Sequence, residues 1–140
     1  DSRDFGRYII DMPRVAKISS NLQNTTCLFI TYDDTLWSID TKTLTAKQES
    51  IEINNILDIK NEFDHTIILC DLGVLWGRGN NEFGQLLLNK KSECKQFTRL
   101  PVDEELCIIG VACGRYNSLF LNYDGTVYIC GDFSNGKFVQ

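Results

Sequence analysis

A chain of 140 residues has room for one domain with a true core and too little for two. Apolar residues make up 43% and charged residues 24%, which excludes disorder and low complexity. The net charge of −5 excludes a surface built to neutralise nucleic-acid phosphates or an anionic bilayer.

The longest nearly apolar run, 106–114, falls well short of a membrane-spanning helix, so neither a membrane nor a nucleic acid is expected as partner. The chain opens Asp1-Ser2-Arg3-Asp4, without an initiating methionine or an apolar signal core, so further sequence is expected upstream.

In chain order, the pattern predicts short strands paired as hairpins. Strands at 26–32 and 36–39 flank Asp33-Asp34. Strands at 66–70 and 74–76 flank Asp71-Leu72-Gly73, and strands at 117–122 and 126–130 flank Asp124-Gly125. Asp-Gly suits such turns because glycine takes positive φ without steric cost. Asp34 stands where that glycine is expected, so its turn is strained or differently built. Segments 43–50 and 102–107 show no apolar stripe at helical spacing and read as loops.

These hairpins repeat. Shifting the chain by 52 residues lays Ile56, Ile67, Ile68 and Leu69 on Ile108, Leu119, Phe120 and Leu121, and Gly73, Gly79 and Gly84 on Gly125, Gly131 and Gly136. A shift of 39 lays Leu28, Phe29, Ile30 and Trp37 on Ile67, Ile68, Leu69 and Trp76, and the pair Phe5-Gly6 recurs as Phe83-Gly84 at twice that shift. Several short strands per unit at this period predict an all-β fold, a partial β-propeller of about three blades of antiparallel strands. The Gly-Gly doublet of kelch blades and the Trp-Asp pair of WD blades are both absent from the sequence.

Six cysteines form an even set, but Cys27, Cys70, Cys113 and Cys130 sit in apolar strand runs where a free thiol acts as a small buried hydrophobe. Reduced thiols are therefore expected, in a cytosolic setting. There is no Cys-x-x-Cys, and His65 has no Cys or His within four residues, so no metal-ligand set is read. The triplet Asn24-Thr25-Thr26 matches a glycosylation sequon, which has meaning only in a secreted chain.

The glycine spacing resembles the regulator of chromosome condensation family, whose blades follow D-G-x-V-Y-x-W-G-x-N-x-x-G-Q-L-G. Residues 73–86 carry Gly79, Asn81, Gly84, Gln85 and Leu86 at that spacing, with Leu87 replacing the final glycine. Residues 111–131 resemble V-A-C-G-x-x-H-S-L-A-L followed by D-G-x-V-Y-x-W-G, with Asn117 in the histidine place that His65 keeps in the middle unit and Thr26 occupies in the first. The units are read as 1–55, a degenerate repeat; 56–107, a repeat; and 108–140, the start of the next.

Gly79, Gly84, Gly114, Gly131 and Gly136 are assigned to tight turns and close approach between blades. His65 is assigned a hydrogen bond to a backbone carbonyl, and Trp37 and Trp76 are assigned to blade packing. The stretch Arg78-Gly79-Asn80-Asn81 lacks what cradles a phosphate. Acidic residues 103–105 read as a solvated loop, with a partner-facing patch as the other reading.

No catalytic, cofactor-binding or metal residue is named, and the chain is not read as an enzyme. The resemblance implies a protein-interaction module, an RCC-like propeller segment of a larger intracellular protein, cytoplasmic or nuclear. Its alternative is a guanine-nucleotide exchange factor domain for a Ran-like small GTPase. The partners implied are a protein, such as a small GTPase, and either remaining propeller blades or further copies of the chain against the open faces.

Overall fold

The computed structural model describes residues 9–20 and 26–133. Phe5-Gly6, Gly136, and Asn24 and Thr25 of the sequon lie outside the described residues. Three antiparallel sheets follow one another along the chain. The first holds β1 (Val15–Ser19), β2 (Thr26–Thr31), β3 (Leu36–Asp40) and β4 (Thr45–Gln48) in sequence order. The second holds β5 (Ile56–Glu62), β6 (His65–Cys70), β7 (Leu75–Gly79) and β8 (Cys94–Arg99), and the third β9 (Ile108–Cys113), β10 (Asn117–Asn122) and β11 (Val127–Gly131). Each is a meander whose neighbours in sequence are neighbours in space, and together they form a partial β-propeller of three blades.

Strand β6 shows how the blades stack. All six of its residues are buried, because its alternate side chains serve two cores at once. Ile68 and Cys70 point into a cluster with Leu28, Ile30 and Leu36 of the first blade. Ile67 and Leu69 point the other way, into a cluster with Ile108, Val111 and Phe120 of the third. Ile67 and Ile68 are both completely excluded from solvent, and each contributes about 2 kcal/mol of apolar burial.

The three anticipated hairpins are present. Thr31, Cys70 and Asn122 each donate their amide to the carbonyl four residues on, closing the turns in the same way. Asp34 adopts φ +62, the left-handed conformation that its glycine-free turn requires, and in compensation its Oδ2 accepts a bond from the Asn55 amide at 3.2 Å. The middle turn differs in holding two successive residues at positive φ, Leu72 and Gly73. Leu87 lies at φ +59, in the place where the repeat pattern has glycine, and packs its side chain on the second core cluster.

Two departures from the sequence reading concern edge strands and thiols. Segment 43–50, read as a loop, contains β4, which exists because β3 offers it a free edge and not because its Thr-Ala-Lys-Gln sequence favours a strand. Segment 102–107 forms no helix or strand, as read. All six cysteines are free, but only Cys70 is buried; Cys27, Cys113 and Cys130 are half-buried.

Candidate functional site

The seam between the second and third blades is built from the repeat's own polar residues. His65, 1% exposed at the start of β6, brings Nε2 within 3.1 Å of the Asn117 carbonyl and 3.0 Å of the Ser118 hydroxyl. A carbonyl oxygen only accepts, so Nε2 carries the proton and donates to the next blade. Ser118 in turn donates its hydroxyl to the Gln85 carbonyl at 2.8 Å, tying β10 to the long loop between β7 and β8. Burial holds the His65 pKa below its ordinary value of 6.5, against the opposing pull of Asp64 and the Asn117 carbonyl, so the ring is neutral at pH 7. The same environment pushes the Cys113 thiol up to about 12 and the Cys130 thiol up to about 11, chiefly through desolvation.

The motif residues of the 80–88 loop brace it from within. Asn81, fully buried, donates to the carbonyls of Leu88 (2.9 Å) and Lys90 (2.5 Å) and accepts from the Leu86 amide (2.8 Å). Gln85 accepts the Phe83 amide through Oε1 at 2.9 Å.

The glycines divide by what faces them. A Cβ on Gly79 would lie 2.2 Å from the Asp64 carbonyl oxygen, and one on Gly131 would lie 2.3 Å from that of Tyr116. These are contacts inside one blade, not between blades as the spacing suggested. The close approach between blades falls instead at Gly73, where a Cβ would meet the Ile108 amide nitrogen at 2.8 Å.

Trp76 packs on the first cluster, as assigned, and Trp37 donates Nε1 to the Thr35 hydroxyl at 2.9 Å. Arg78 lies over the Phe97 ring at 4.2 Å and pairs with Glu49 at 3.5 Å across the first seam. Among the described residues, no three His, Cys, Asp or Glu side chains gather as a metal set.

Loops at one end of the blades create a patch that the sequence reading did not find. The Arg115 guanidinium lies 4.3 Å from the Phe63 ring centre and 5.1 Å from that of Tyr116. Tyr116 makes edge contacts with Phe63 at 5.4 Å and Phe83 at 5.3 Å. The cluster spans the second and third blades and leaves Phe83 41% exposed and Arg115 exposed, a composition typical of interface anchors. The only sequence signal was an aromatic residue within or next to each of the loops 63–64, 80–85 and 114–116.

Meandering sheets of four, four and three strands that stack through alternate faces of one strand define a β-propeller segment. The pattern of the regulator of chromosome condensation (RCC1) repeat matches residues 108–137. The chain is 35% identical over 78 residues to the human RCC1-like G exchanging factor-like protein and 33% identical over 76 residues to the zebrafish protein RCC2 homolog, covering 52% and 54% of this chain. Among solved structures, Prp20p of Saccharomyces cerevisiae superimposes with a TM-score of 0.71 at 19% identity, over 89% of this chain and 32% of Prp20p. The chain spans 17% and 15% of the length of those two curated relatives. Residues 108–137 therefore carry an RCC1 repeat, and the chain as a whole has the fold of the RCC1-like β-propellers.

Proposed function

We propose that these blades are part of a protein-binding propeller in a larger protein, and that the protein promotes guanine-nucleotide exchange on a small GTPase of the Ran type. The observation that carries this reading is the likeness of all three blades to Prp20p, a protein characterised together with its binding to Gsp1p and histones. The relation to the human RCC1-like G exchanging factor-like protein supports the same class of activity.

Exchange of this kind needs no acid, base or metal. A partner that prefers the nucleotide-free GTPase weakens nucleotide binding by the same coupling factor. The chain is accordingly read as non-enzymatic in bond chemistry, and its setting as cytoplasmic or nuclear. The patch around Arg115 and Phe83 is the contact surface this reading favours, because it is rigidly held by two blades and rich in anchor residue types. The outer face of the third blade, with Val127 and Ile129 more than half exposed, is assigned to further blades or to another copy of the chain.

Release of labelled GDP from a panel of small GTPases, measured with the full-length protein, tests the proposal. Acceleration on a Ran-type GTPase is expected, and its loss on Arg115→Ala would place the contact. No acceleration on any GTPase leaves a binding platform without exchange activity.

A further inference from the structure

The hairpin tips and the connections between blades share the end opposite the Arg115 patch. A chain of contacts links them: the Asn55 amide donates to Asp34 Oδ2 and its carbonyl accepts from the Asp71 amide, Gly73 lies against Cys107, and the Cys107 carbonyl accepts a bond from the Tyr123 amide. Between the middle tip and the 100–107 connection lies a cavity of about 300 Å³. Leu72, Val102 and Leu106 line it with exposed Asp103 and Glu104, and Arg99 is its one cation.

Leu72 is 86% exposed and sits at φ +59, where the corresponding positions in the other two tips are Asp33 and Asp124. An apolar side chain held in solvent at a left-handed position has no folding rationale. Tyr32 and Tyr123, each 67% exposed, occupy the tips of the neighbouring blades. Segments 9–14, 32–35, 49–55, 71–74, 99–107 and 123–126 carry ten carboxylates, of which Glu49 is paired with Arg78, against Arg14, whose guanidinium lies 4.8 Å above Tyr32, and Arg99.

We infer that this end docks an extended basic segment of a partner protein, with an aliphatic side chain or stem in the Leu72 cavity and its cations against Asp103, Glu104 and the tip carboxylates. Charge complementarity selects the occupant: the field here repels nucleic acid and acidic peptides, and the Leu72, Val102 and Leu106 side chains of the cavity give a cationic chain a place to lay its stem. The surface is distinct from the Arg115 patch and does not depend on the exchange reading.

The test uses the full chain, without any GTPase, and fluorescence anisotropy of labelled eight-residue peptides that alternate arginine with leucine, glutamate with leucine, or arginine with serine. The arginine–leucine peptide is expected to bind at least about tenfold more tightly than either of the others. The double variant Asp103→Asn/Glu104→Gln should weaken it about tenfold and Leu72→Asn severalfold, while Glu82→Gln/Glu93→Gln, of equal charge change in the long loop at the other end, should leave it within about twofold. Equal weakening by both double variants, or no preference for the arginine–leucine peptide, would overturn the assignment. Asparagine tolerates the Leu72 backbone conformation, so that variant reports on docking and not on folding.

Discussion

The two seams between blades are made from equivalent positions yet are closed to different degrees. At the second seam His65, Ser118 and the Gln85 carbonyl form a continuous buried bridge. At the first seam the histidine position holds Thr26, and the turn between β3 and β4 is only four residues long, so no loop equivalent to 80–93 crosses to the next blade. Thr66, the counterpart of Ser118, donates instead within its own blade to Asn61 Oδ1 at 3.1 Å. A cleft of about 660 Å³ lies at this seam, lined by Thr26, Leu28, Asn61, Asp64 and Thr66. The buried polar bridge of the second seam uses the histidine and the long motif loop together, while the first seam stacks on apolar burial with more peripheral polar links, the Arg78–Glu49 pair and the Asn55 bonds.

Substitution at paired positions breaks this comparison most directly. Gly73→Ala should cost about 3 kcal/mol, because it combines φ +76 with a clash against Ile108, whereas Gly125→Ala, at φ +90 with nothing near, should cost about 1 kcal/mol. Urea denaturation of the two variants measures the difference, and equal costs would mean that Gly73 owes its place to its turn alone. His65→Ala should likewise cost about 3 kcal/mol through a lost inter-blade bond and a buried cavity, against less than about 1 kcal/mol for Thr26→Ala.

The second seam should also carry a pH signature. Because the folded His65 pKa lies below 6.5, the unfolded chain takes up this proton first as pH falls. The seam is intact above about pH 6.5 and loses stability below it, and His65→Gln should flatten that part of the profile in urea titrations from pH 7.5 to 5.

Thiol chemistry gives a finer readout. With pKa values raised to about 12 and about 11, Cys113 and Cys130 should react with a thiol reagent at pH 8 at least about tenfold more slowly in the folded chain than in urea. The smallest effect expected is a gain: Leu72→Asn should stabilise the middle tip by about 0.5–1 kcal/mol, seen as a higher urea midpoint, because asparagine accepts φ +59 more readily than leucine.

Much of this architecture was legible because a strand buried on both faces leaves a dense apolar run, and a tight turn leaves glycine or aspartate. Segments 66–70 and 117–122 announced β6 and β10 in that way. Strands β4 and β8 did not, because Thr-Ala-Lys-Gln and Cys-Lys-Gln-Phe-Thr-Arg are mostly exposed at blade edges and carry little apolar alternation. Their strand form comes from a neighbour's unpaired edge, which no local pattern records. The bond partner of His65 was foreseen as a carbonyl by type, but the Arg115 patch was not foreseen at all. Its members are 63, 83, 115 and 116, brought together only when the second and third blades stack.

The sequence by itself determined the repeat, the hairpin tips and the alternation that gives each central strand two faces, since these depend on neighbours within a few residues. Which carbonyl His65 reaches, which glycine meets another blade and which end gathers the carboxylates were decided by the tertiary structure. Each depends on groups about 30 to 50 residues apart in the chain, and the distance between such groups is set by how whole blades pack, not by any local preference of the backbone.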